Sequence, residues 1–334
     1  MLYPPGLKPA HRKPAMTTRT RTALIAPTPP HRGFRGLVSG ILLAGLAALT
    51  FTVTIAAVGS GGEFSIPGLG IVRAEEITAP AVSEDQLERD LRALDIAFGA
   101  PKPAVTFAGG IASYTGEVNA AGFDALSALA ESEAVQTLSV DSLGGEVFWG
   151  MKIGELVFAR GWDVRVRGIC FSSCANYLFP AGKRKIIAAG GIVGWHGSAR
   201  QDAVLAARAG ISEAEEFLRK IVPAMLAGIA DSGQPAPGRA ELLAGVSAEF
   251  GRHQTRRRME EAFFARIGVA QDSAVYGLRP ESGVPQNAGG WTYRLADLAA
   301  FGITDVEYLG GDDGDYPPPD KRAFLGLSIA TVKR

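Results

Sequence analysis

Between Leu138 and Ser198, three short apolar runs end one after another in residues that carry chemistry. The first, Leu138 to Val140, meets a Gly144-Gly145 turn. The second, Val164 to Gly168, breaks over Cys170 to Ser173 into an apolar helix-like run, and the third, Gly191 to Trp195, delivers His196. A helical pattern from Gly145 to about Ala159 lies between the first two, with Val147, Met151, Ile153, Leu156 and Val157 on a broad apolar face. Strand-length runs alternating with helical periods predict βαβ units and a mostly parallel sheet. A glycine turn, a serine and a histidine at three strand ends are the parts that acyl transfer needs.

A serine nucleophile requires a base, and the supply is short. Of four histidines, His11 and His31 lie in the N-terminal tail, and His253 sits in GRHQTRRR, where neighbouring arginines disfavour its protonated form. His196 is left as the general base. Arg256, Arg257 and Arg258 read as a solvated helix face, since no aromatic residues interleave them as in a nucleic-acid platform. No His, Cys, Asp or Glu spacing suits a metal, and no phosphate-binding glycine loop is present, so no cofactor is expected. With 34 basic and 34 acidic residues, the chain gives no global reason to expect a nucleic-acid partner.

Charge is uneven along the chain. Residues 1–35 hold basic side chains and no acid, and they are rich in proline, which predicts a disordered cytoplasmic tail. Gly36 to Gly62 carries no charge and is long enough for the roughly 20 helical residues that cross a bilayer. A transmembrane helix or uncleaved signal anchor over 36–60 follows, preferred over a cleaved signal peptide because Val72-Arg73-Ala74 is a poor cleavage site. Basic residues on the N-terminal side alone place the remainder outside the cytoplasm, anchored in the inner membrane by one pass. Such a compartment permits a Cys170–Cys174 disulfide. The three intervening residues make its geometry demanding, and two small buried thiols are the alternative.

Residues 61–82 read as a linker. Ser83 caps a first helix, AVTFAG and IASYTGEV are strands, and Asn119 caps a second helix through Ala130. From 198 to 287 the pattern turns helical: 203–209, 212–230 with a kink or break at Pro223, 239–250 and 255–267. A helix over Leu295 to Phe301 and a strand near Val306 to Leu309 close a domain spanning 83–310. Residues 311–334 read as a solvated tail.

The runs SLGG, SSCANYLFPAG and VGWHG together resemble the Clp-protease/crotonase superfamily, and more closely its exported, uncharacterised ClpP-like members. The resemblance covers roughly Ala104 to Ser198, with a weaker echo at Leu295 to Val306. It implies an α/β fold, a spiral core of repeated ββα units, here with a helical insertion, often assembled into rings. Counting back from Ala181-Gly182 puts the family's nucleophile at Ser173, with Ser172 as runner-up, and its histidine at His196. The same likeness gives the oxyanion hole to the N–H groups of Gly144 and Cys174. The family's aspartate slot falls on Gly290, which has no side chain. Asn287 and Asp297 are the nearest candidates to orient His196, with Asp272 and Glu281 further off.

The expectation is therefore a membrane-tethered, extracytoplasmic serine hydrolase acting on a peptide or protein, with a homo-oligomer as its expected assembly. Its alternatives are a catalytically inactive scaffold of the same fold that binds peptides, and a crotonase-type acyl-thioester enzyme.

Overall fold

The computed structural model describes residues 63–66, 70–232 and 237–333. The tail over 1–35 and the apolar run over 36–60 lie outside the described residues. No helix among the described residues is long and apolar enough to cross a membrane.

The chain opens with a hairpin, β1 (Glu63–Ile66) and β2 (Gly70–Arg73), where the sequence reads as linker. The reason is burial, since Val72 and Ile77 pack into a helical cluster described below. α1 (Glu84–Phe98) starts at Ser83, whose side chain accepts Gln86 N–H. β3 (Ala104–Ala108) and β4 (Ile111–Thr115) form an antiparallel pair. α2 (Ala120–Ser132) follows, capped by Asn119. β5 (Thr137–Ser142), α3 (Val147–Arg160) and β6 (Asp163–Phe171) complete the central βαβ unit.

β6 then enters a wide π-type turn over Cys174–Leu178 that continues as the short α4 (Phe179–Ala181). β7 (Lys185–Ile187) and β8 (Ile192–Gly194) return to β6. Next come α5 (Gln201–Ala209), α6 (Glu213–Ser232) and α7 (Arg239–Ile267). The chain closes with β9 (Gly290–Thr292), α8 (Leu295–Leu298), β10 (Val306–Tyr308), α9 (Pro319–Phe324) and β11 (Leu327–Ile329).

The main sheet has the order β10-β7-β6-β5-β4-β3, parallel except for β3–β4. Its central strands β5 and β6 each bury an apolar face, while Arg165 and Arg167 on the other face of β6 are exposed. Leu138, Val140, Val164 and Val166 are all fully buried, each worth about 1.5–3 kcal/mol.

β6 forks, and the fork makes the site. Val164–Val166 pair with β7, whereas Ile169–Phe171 pair with β8. At the fork the β5–β6 register shifts, and Asp141 fills the gap by accepting Ile169 N–H at 3.0 Å. The last residues of β6 thus leave the plane of the sheet and carry Ser172 towards the end of β8.

Three elements differ from the sequence reading. α6 continues through Pro223, because Phe217, Leu218, Val222 and Met225 hold its apolar face in a cluster with α7. The two helices expected over 239–267 are one, with Gly251, Arg252 and His253 inside it. The C-terminal segment is not a solvated tail. β11 pairs in parallel with β9, and buried Tyr316 accepts Val193 N–H through its hydroxyl at 3.0 Å.

Candidate active site

Ser172 follows β6 with φ 57, in the left-handed region, and Asp305 is the other non-glycine described residue with positive φ. Such a conformation costs of order 1–3 kcal/mol in a residue with a Cβ, and it persists where surrounding structure enforces it. Three contacts enforce it here. Ser172 N–H donates to Gly194 O at 3.0 Å, and Ser172 O accepts Asn176 N–H at 2.9 Å. A disulfide between Cys170 and Cys174 spans the same turn.

The strained turn aims the Ser172 hydroxyl at the next strand end. Its Oγ lies 2.7 Å from His196 Nε2. The imidazole stacks on Phe171, with ring centroids 5.0 Å apart and planes inclined by 25°. Burial of the ring depresses its pKa, and the positive charge of Lys220 depresses it further. A neutral ring can accept the Ser172 proton, which is the state a general base needs near neutral pH.

Ser173, expected as the nucleophile, points elsewhere. It is buried, and its hydroxyl donates to Gly145 O at 2.7 Å. Gly144 also differs from expectation, because its N–H donates to Ser142 Oγ at 3.0 Å. What Gly144 contributes is closeness. A Cβ there would lie 2.6 Å from Ser172 Cβ and 2.8 Å from Ser173 N, on a backbone with φ +94. The amides of Gly145 and Ser173 have no acceptor assigned among the described residues. Cys174 enters the site through its disulfide.

No side chain stands in the slot of the missing aspartate. A Cβ on Gly290 would lie 3.2 Å from His196 Cβ, so the position is beside the ring, but it would also lie 2.2 Å from Trp195 O. The backbone of Trp291 is already paired with that of Trp195, through N–H to O contacts of 2.7 and 2.8 Å. Of the candidate orienting groups, Asn287 is exposed, Asp297 lies against Arg294 on α8, and Asp272 pairs with Arg200 and Arg279. Glu281 lies near Arg279.

Behind the pair sits a polar layer that the sequence did not reveal. Arg256, read as part of a solvated face, is only 6% exposed and pairs with Glu146, the N-cap of α3, and with Glu249. His253, expected among positive charges, instead lies between the carboxylates of Glu213 and Asp202. Glu260 is fully buried and accepts hydrogen bonds from Tyr177, Ser198, Ala199 and Gln271. A usable signal was present. Phe263 and Phe264 stand three and four residues after Glu260, placing it on the buried face of α7.

No protein-family model and no curated protein matches the chain. Among solved structures, the chain is similar to an enoyl-CoA hydratase from Mycobacterium avium subsp. paratuberculosis K-10, at 15% identity over 52% of this chain and 90% of that one, with a TM-score of 0.25. A probable enoyl-CoA hydratase/isomerase from Mycobacterium abscessus matches at 12% identity over 52% and 78%, with a TM-score of 0.23. An enoyl-CoA hydratase from Shewanella pealeana ATCC 700345 matches at 11% identity over 55% and 86%, with a TM-score of 0.22.

Proposed function

We propose that this chain is a serine hydrolase of Clp/crotonase-like fold, a peptidase working with a Ser172–His196 dyad. The 2.7 Å contact between Ser172 Oγ and His196 Nε2, made from a strained backbone, carries the reading. Ser172 Oγ attacks a carbonyl carbon while its proton passes to Nε2, and the imidazolium then protonates the leaving group. Water, deprotonated by the same nitrogen, releases the acyl group. The amides of Ser173 and Gly145 receive the oxyanion, each contributing about 3–4 kcal/mol to the transition state.

The Cys170–Cys174 disulfide supports placement in an oxidising compartment, consistent with export by the apolar run over 36–60. The anchor, the peptide substrate and assembly into an oligomer are parts of the same proposal.

Hydrolysis of an activated ester and of a casein-derived peptide pool tests the reading. Wild-type protein turns over at least the ester, and Ser172→Ala and His196→Ala each lose about 1,000-fold or more. Wild-type protein that hydrolyses neither, and binds a peptide, is the inactive scaffold instead. Binding of coenzyme A thioesters without hydrolysis favours the acyl-thioester enzyme.

A further inference from the structure

We propose that Glu260 is a positioning residue that sets the separation of Ser172 and His196, by hydrogen-bonding at once to the turn that follows the serine and to the loop that follows the histidine. The inference rests on the hydrolase reading for its catalytic meaning.

A dyad lacks the group that ordinarily holds the base in place, so some other contact must fix the ring. Tyr177 stands five residues after Ser172, on the wide turn, and its hydroxyl donates to Glu260 Oε1 at 2.6 Å. Ser198 and Ala199 follow His196 after one residue, Gly197. Ser198 Oγ–H donates to Oε2 at 3.0 Å and Ala199 N–H to Oε1 at 3.3 Å. Gln271 supplies a fourth donor to Oε2 at 2.8 Å. Each oxygen therefore receives two donors, and the carboxylate is bolted between the two reactive segments.

A second strap runs in parallel, because Asn176 on the same turn donates to Gly197 O at 2.8 Å. The helix carrying Glu260 is itself fixed to the base of α3 through Arg256 and Glu146, 2.9 Å apart.

Simple packing does not require this arrangement. A fully buried carboxylate is costly to desolvate, and an apolar side chain of similar volume stabilises at least as well. Burial pushes the Glu260 pKa up, and the four donors pull it back. What the carboxylate supplies, and a leucine does not, is four directed contacts to segments that must stay in register. Errors of about 1 Å in such register cost about 100-fold in rate.

Glu260→Gln tests this, since a carboxamide has one acceptor oxygen and leaves two of the four donors unmatched. The rate constant for labelling by a fluorophosphonate probe is expected to fall about 10- to 100-fold, with the probe concentration for half-maximal rate unchanged. Tyr177→Phe and Ser198→Ala, losing one strap each, fall about three-fold. A nuclear magnetic resonance titration of His196 supplies a readout that catalysis does not enter. Its pKa lies below the ordinary 6.5 in the wild type, lowered by desolvation and by the charge of Lys220, and moves in Glu260→Gln as the loop carrying the ring shifts relative to both.

Glu260→Gln protein that unfolds at the wild-type temperature, labels at the wild-type rate and leaves the His196 titration unmoved overturns the proposal. Should that variant fail to fold, wild-type labelling and titration in Tyr177→Phe and Ser198→Ala overturn it equally. Wild-type protein that takes no probe defeats the hydrolase reading alone. The titration then decides the positioning role.

Discussion

The described residues form two hydrophobic clusters of different make-up. One is built on the sheet and contains Val140, Val166, Cys170, Tyr177 and Trp195, which include the chain neighbours of the Ser172 turn and of His196. The other joins Phe217, Leu218 and Val222 of α6 to Leu242, Val246 and Phe250 of α7, with Val72 and Ile77 from the N-terminal segment, and it holds neither Ser172 nor His196. α7 runs from the second cluster into the first, where Phe263 and Phe264 pack on Tyr177. Its middle carries Glu249, Arg256 and Glu260, all buried. The sheet supplies Ser172 and His196, and α7 meets the segments that follow them through both apolar packing and buried charge.

Arg256→Ala probes the division most strongly. It leaves Glu146 and Glu249 facing each other without their cation, and the loss is expected at about 3–5 kcal/mol by urea unfolding. A loss below about 1 kcal/mol means that the lobe is not braced through this arginine. Gly144→Ala attacks the sheet side. A methyl group 2.6 Å from Phe171 O, on a backbone with φ +94, is expected to cost about 2–3 kcal/mol and about 100-fold in labelling. Full activity in that variant would remove Gly144 from the site.

Replacing Cys170 and Cys174 together by alanine frees a five-residue loop, and should cost about 2 kcal/mol in thermal unfolding experiments. The smallest effect is on pH. Neutral His196 is the active base, so the labelling rate falls as pH drops through its pKa. Because that pKa is depressed, the acid limb lies below 6.5. A limb above 6.5 would point to an acidic partner for the ring.

Much of the sheet was legible. The sequence predicts strands over Thr137–Val140 and Val164–Gly168 from their alternating apolar residues, and in the structure they extend to Thr137–Ser142 and Asp163–Phe171. His196 was singled out in the sequence by elimination among four histidines. Between the two candidate serines, the hydroxyl that faces His196 is that of the runner-up, Ser172, and the turn explains why. Counting back from Ala181-Gly182 assumes a regular helix, whereas Cys174–Leu178 is a wide turn that takes up an extra residue and moves the exposed hydroxyl to Ser172. Apart from Glu260, which its spacing to Phe263 and Phe264 marks, the polar belt on α7 was illegible because a charged residue looks the same in sequence whether solvent or a buried partner neutralises it. Only the tertiary fold brings Arg256 to Glu146, 110 residues away.

The central claim is that the hydroxyl at 172, not its neighbour, is the reactive one. Peptide mapping by mass spectrometry after fluorophosphonate treatment tests it directly, with Ser172→Ala and Ser173→Ala beside the wild type. The adduct is predicted on Ser172, absent from Ser172→Ala and retained in Ser173→Ala within a few-fold of the wild-type rate. An adduct on Ser173, or labelling that survives Ser172→Ala, contradicts the account.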